Sequence, residues 1–211
     1  ERTLAAEEGE SAAELTLKVA SAYAEMGDGE GATRTLRKGH ERIPDNDQIK
    51  KALEADFRAR GDFSGLVGML RRTAAGLSDP AARVMAFGEI ADLYRDELMD
   101  VDGEMAALSA IGDVLGDNVD FTIRLIDCMK RAGHLDDALE KASSTLARTE
   151  EPSQRFELLR LRADMLKTTG DVDGALSDME EAFDIRPADM ADGLESILRS
   201  RRGMCASNGD A

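Results

Sequence analysis

The sequence predicts an all-α chain built from stacked helical hairpins. Three observations carry this: helix-forming residues dominate, apolar residues recur at spacings of three and four, and one kind of break returns at regular intervals. Val, Ile, Thr, Tyr and Phe form no alternating runs, whereas Ala, Leu, Glu, Arg, Lys and Met prevail. Leu15, Val19, Ala22, Tyr23 and Met26 show the helical spacing. Such segments stop at Gly27-Asp28, Gly61-Asp62, Gly133-His134 and Gly170-Asp171. A glycine there can adopt the left-handed conformation that closes a helix. The neighbouring Asp can accept hydrogen bonds from the free N–H groups of the next helix. Helix, tight turn, helix is the expected unit.

The breaks recur. Gly27 to Gly61 is 34 residues and Gly133 to Gly170 is 37. An offset of 72 residues aligns a long stretch without a gap: Leu53 with Leu125, Arg58 with Lys130, Gly61 with Gly133, Thr73 with Thr145, Pro80 with Pro152, Arg83 with Arg155, Ala91 with Ala163 and Asp92 with Asp164. Both turn glycines and both prolines fall in register, which implies duplication of a block of two hairpins. Internal repeats of this length build a solenoid.

Composition excludes several classes. The 211 residues are 42% apolar, which argues against a disordered chain, and carry a formal charge of −16, which disfavours phosphate backbones and anionic membranes. No run approaches the roughly 18 apolar residues of a spanning helix. Cys128 and Cys205 cannot make a disulfide scaffold, and two unpaired cysteines suit a reducing cytoplasm, slightly favoured, or a periplasm. The chain opens on Glu1 with neither Met nor a signal-type apolar core, so a fragment of a longer protein is expected.

The units resemble tetratricopeptide repeats, the 34-residue helix–turn–helix family. The best match spans 13–46: Val19-Ala20 stands at the Leu-Gly pair, Tyr23 at the tyrosine, Ala32 at the small residue of the second helix, Leu36 at the aromatic slot, Gly39 at the second alanine and Pro44 at the end. The unit at 156–189 follows with Ala163, Leu166, Gly170, Ala175, Met179, Ala182 and Pro187. The units at 47–83 and 119–155 keep Leu53, Phe57 and Gly61, and Leu125, Met129, Gly133 and Ala138. The unit at 84–118 has Ile90, Ala91 and Tyr94, then inserts about three residues around Leu98-Met99-Asp100 before Ala106. Tryptophan is missing and tyrosine is scarce, so the repeats are degenerate. The resemblance implies a right-handed superhelical solenoid of about five repeats over 13–189. Small residues such as Ala20, Ala91 and Ala163 would let paired helices approach. Tyr23, Phe57, Tyr94, Met129 and Leu166 would fill the space between units. Residues 1–12 read as a lead-in or the end of a preceding helix. Residues 190–202, with Met190, Leu194, Ile197 and Leu198, read as a capping helix, and 203–211 as a loose tail.

Catalytic signals are missing. Gly27-Asp28-Gly29-Glu30-Gly31-Ala32 formally fits a dinucleotide fingerprint, but it follows a helix and holds two acids where phosphate oxygens would lie. Thr169 to Glu180 resembles a calcium loop, yet Thr169 occupies the position that needs Asp, and a capping turn explains the same residues. His40 and His134 lie far apart and read as surface or turn residues, and no metal-ligand spacing occurs. Cys128 should pack in the core. No enzyme activity, cofactor or metal is expected.

The resemblance assigns the first helices of successive units to a concave groove that holds a peptide. By register, one column reads Ala24, Arg58, Arg95, Lys130 and Lys167; a second reads Ser21, Ala55, Asp92, Asp127 and Asp164; a third holds Leu17, Lys51, Gly88, Ile123 and Arg160. With neighbouring columns, Lys51, Arg58, Arg95, Lys130, Arg131, Arg160 and Lys167 oppose Glu14, Glu25, Asp92, Asp96, Asp120, Asp127, Glu157 and Asp164. Seven positive against eight negative charges leave the lining at −1, and the remaining −15 of the chain's −16 falls elsewhere. Two arrangements fit. Asp92–Arg95, Asp127–Lys130 and Asp164–Lys167 form local ion pairs three residues apart, or the cations stand ready for partner carboxylates and carbonyls. The expected function is a non-catalytic scaffold for a protein or peptide, with Lys51, Arg58, Asp92, Arg95, Asp127, Lys130, Arg160, Asp164 and Lys167 as candidate contacts. Nucleic-acid binding and membrane insertion are not expected. The alternatives are a spacer or self-association segment of a longer repeat protein, and the regulatory arm of an enzyme whose catalytic domain lies outside.

Overall fold

The computed structural model describes residues 2–116 and 118–185, with side chains described from residue 10 onward. The expected capping helix at 190–202 and the tail lie outside the described residues. The chain divides into two compact units, Glu1–Arg72 and Thr73–Ala211. The first holds α1 (Arg2–Glu25), α2 (Gly29–Arg42) and α3 (Asp47–Arg60), and α4 (Phe63–Gly76) crosses its boundary. The second holds α5 (Pro80–Leu93), a π-helical turn (Tyr94–Leu98), α6 (Val101–Leu115), α7 (Val119–Arg131), α8 (Leu135–Leu146), α9 (Pro152–Thr169) and α10 (Val172–Ile185). No strand occurs among the described residues.

Turn chemistry sets these boundaries. Gly61 ends α3 in the left-handed region at φ +66°, and Gly133, its counterpart 72 residues on, ends the next equivalent helix at φ +84°. Asp28, Asp62 and Asp171 then cap the following helices through the N–H groups of Gly31 (2.8 Å), Gly65 (2.9 Å) and Gly174 (3.0 Å). His134 makes no such side-chain bond. Pro80 and Pro152 both open helices, behind Asp79 and Glu151 as N-caps.

The first two hairpins close tightly with an aromatic ring resting on a glycine. A Cβ on Gly65 would stand 2.5 Å from Asp62 Oδ2 and 2.7 Å from the Phe57 ring, and Gly31 is crowded in the same way by Asp28 and Tyr23. The third hairpin keeps this arrangement, with Tyr94 against Gly103. In four hairpins the turn N–H bonds a carbonyl five residues back, as Asp62 does to Phe57; here Asp100 bonds Tyr94, six back. The insertion is therefore one residue, absorbed by the π-turn, where three were expected. Met99 takes the place of the turn glycine and adopts φ +51°.

This changes one assignment. Four residues past the turn stand Ala32, Leu66, Ala138 and Ala175, all buried, and the matching residue of the third hairpin is Glu104. Ala106, the expected small residue, is exposed.

Ala20, Ala91 and Ala163 are buried as expected, and so is Cys128. In the second unit Ile126, Phe156, Leu158, Leu159 and Met165 anchor a core that reaches from α7 to α10. Two expectations fail. Tyr23 is 36% exposed, because among the described residues only one side of α1 is covered. His40 is no simple surface residue: its Nδ1 is buried and finds no hydrogen-bond partner.

Candidate functional site

The candidate residues fall in two places. Lys51 and Arg58 lie on the exposed side of α3 in the first unit. The other seven lie in the second unit: Asp92 on α5, Arg95 in the π-turn, Asp127 and Lys130 on α7, and Arg160, Asp164 and Lys167 on α9.

In the second unit the face formed by these helices is cross-braced. Arg124 on α7 reaches Asp92 on α5 at 2.7 Å, and Lys130 on α7 reaches Asp164 on α9 at 2.6 Å. Gln154 on α9 donates to Asp120 on α7 at 2.9 Å. Such contacts fix the spacing of successive first helices. Each half-exposed ion pair adds little stability by itself, so the effect is on geometry more than on folding energy.

Of the local pairs expected, Asp92–Arg95 forms at 3.2 Å. Arg95 also grips Asp96 through two hydrogen bonds, at 2.8 and 2.9 Å, which raises its own pKa and lowers that of Asp96. Lys130 instead pairs across to α9, and Asp127 pairs with Arg131 at 3.1 Å. Arg160 pairs with Glu157 at 2.9 Å. Lys167 is exposed at the end of α9.

Sequence reasoning missed two features. Arg124, which ties α7 to α5, lies outside the three groove columns. Lys141 and Arg148 help to line a cleft of about 310 Å³ formed with residues of α6 and α7. Among the described residues no group of His, Cys, Asp and Glu could hold a metal ion, and no helix is long and apolar enough to cross a membrane.

Comparison with known proteins supports the architecture. No protein-family model and no curated protein matches the sequence. Solved structures do match. YrrB, a tetratricopeptide-repeat protein with an unusual peptide-binding site, is 15% identical with a TM-score of 0.56, over 95% of this chain and 97% of its own. A putative kinesin light chain from Podospora anserina with nearly identical repeats of this type is 16% identical with a TM-score of 0.54, over 84% and 96%. MamA is 15% identical with a TM-score of 0.52, over 83% and 92%. At such identities the likeness speaks to fold. The helical hairpins, their turn chemistry and these neighbours agree: the chain has a degenerate tetratricopeptide-repeat fold.

Proposed function

We propose that the chain is a non-catalytic protein-interaction scaffold that holds a polar peptide segment on the face formed by α5, α7 and α9. The observation that carries this reading is the cross-bracing of that face by Asp92–Arg124 and Lys130–Asp164. A surface whose charged groups are already held in place loses less entropy on binding. The peptide-binding site of the similarly folded YrrB supports the same reading.

The chemistry of the face sets the ligand. Apolar side chains are few and charge is nearly balanced, so hydrogen bonds and ion pairs must supply most of the affinity. Arg160 and Lys167, exposed on α9, would receive carboxylates or backbone carbonyls of the ligand, and Asp127 and Asp164 would receive its amides or cations. Binding is then weak and salt-sensitive.

The test is capture of an acidic peptide by the whole protein at low and high ionic strength. Arg160→Glu with Lys167→Glu should weaken capture about tenfold, as should a rise from 0.05 to 0.5 M salt. Capture indifferent to both would refute the assignment.

A further inference from the structure

Two sets of residues related by the 72-residue offset pack differently: one is closed and the other leaves a cleft. The cleft, of about 310 Å³, lies between α6, α7 and α8, and Leu108, Gly112, Phe121, Leu125 and Lys141 help to line it. Their counterparts are Leu36, His40, Ile49, Leu53 and Met69, on α2, α3 and α4. There Ile49 is 0% exposed, Leu53 1% and Met69 0%, and the Nδ1 of His40 is buried. Phe121, Leu125 and Lys141 are only half-buried.

The difference starts at Gly112. A Cβ there would meet nothing within 4 Å, so α6 leaves open space over this residue. Counted from the turn, the other hairpins put His40, Ala74, Leu146 and Phe183 at this position, and Leu146 is 6% exposed. A glycine inside a helix weakens it, so the gap brings no local gain to α6. Lys141 then stands in the place of Met69, and an ammonium replaces a buried thioether. Among the described residues that ammonium has no ion-pair partner. Ser109 and Thr122 donate to carbonyls of their own helices, both at 2.9 Å. Arg148 and Asp113 also line the cleft and offset each other in charge, which leaves Lys141 as its net charge.

We propose that this cleft binds a small carboxylic acid with one planar ring. The ring lies over Gly112 against Phe121 and Leu125, and the carboxylate meets the Lys141 ammonium. His40, in the equivalent place, shows that a flat ring suits the position. The volume is at the lower end of small-molecule sites, so it holds one ring and a short acidic arm and not a run of residues. A half-buried ammonium without a counter-ion gains a charge-assisted hydrogen bond from such an anion, while the ring covers apolar surface that is closed in the earlier set. None of the nine candidate contacts of the peptide-holding scaffold lines this cleft, so the two sites are separate.

The probe is 3-phenylpropionate, titrated into the whole protein and followed by NMR. Saturable shifts are expected at Leu108, Gly112, Phe121 and Leu125. The alcohol 3-phenylpropan-1-ol, with the same ring and no charge, should bind about tenfold more weakly. Gly112→Leu, which copies Leu146 of the next hairpin, should fill the slot and abolish binding while circular dichroism shows the helices intact. Lys141→Met, which copies Met69, should remove the preference for the acid and keep the affinity for the alcohol, a test that stands even if the first variant does not fold. Lys167→Glu should leave this binding unchanged, so it fails or stands apart from the peptide-holding face. No saturation, equal affinity for acid and alcohol, or binding indifferent to Gly112→Leu and Lys141→Met overturns the proposal. So do resonances of residues 186–211 that shift when Gly112→Leu is introduced, which would make that segment of the chain the occupant.

Discussion

Glu104 and Arg131 meet between α6 and α7, with 2.6 Å from Oε2 to Nη2. The glutamate is 2% exposed and stands where the other hairpins bury Ala or Leu, so α6 presents a carboxylate to the packed interior. Arg131 also holds Asp127, and the Glu104 carboxylate raises its pKa. The pair therefore joins the interior of the third hairpin to the next helix.

Removing one partner leaves a buried charge alone. Arg131→Ala should cost about 3 kcal/mol, whereas Glu104→Leu with Arg131→Met should recover most of that loss, since an apolar pair avoids the desolvation of both ions. Urea unfolding of the three proteins measures it. Equal losses in the single and double variants would mean that the pair does not carry the α6–α7 contact.

Met99 holds a conformation that glycine holds in other turns. Its side chain is 76% exposed, so little packing is lost on substitution. Met99→Gly should stabilise the protein by about 0.5–1 kcal/mol through relief of the left-handed strain, partly offset by a freer unfolded chain. A lower Tm for the variant would contradict the turn geometry.

Cys128 lies in the core and its thiol donates to the Val101 carbonyl at 3.3 Å. Burial, aided by the Glu104 carboxylate, pushes its pKa up to about 11 from an ordinary 9.0. The folded state prefers the neutral thiol, so this contribution to stability is complete below pH 9 and is lost as pH rises toward 11. Unfolding curves at pH 8 and 10.5 should show the decline, and Cys128→Ala should lessen it.

His40 works in the opposite direction. Burial, then the charges of Arg72 and Lys50, lowers its pKa from 6.5. Protonation is easier in the unfolded chain, so stability should fall as pH drops below about 6.5. His40→Gln should flatten that part of the profile. NMR titration of the imidazole in the folded protein checks it directly, with a midpoint above 6.5 as the contrary result.

The hairpins were legible because glycine and aspartate mark turns by local chemistry: Gly27, Gly61, Gly133 and Gly170 all carry positive φ. The third hairpin was not. A π-turn adds one residue without a punctuating glycine, and Glu104 in a small-residue slot looks like a surface acid. The candidate face was read by register alone, which finds residues on one side of a helix but not their partners. Lys130 pairs with a residue 34 positions away, and no spacing rule within one helix reveals that. The exposure of Leu15 and Tyr23 was equally hidden, since the same pattern is buried one period later.

Chemical-shift mapping of the whole protein with an acidic peptide tests the scaffold reading most directly. The account predicts shifts clustered on α7 and α9 around Lys130, Arg160, Asp164 and Lys167, fading as salt is raised. Shifts gathered instead around Lys141 on α8 and Arg148 just beyond it, or none at millimolar peptide, would contradict it.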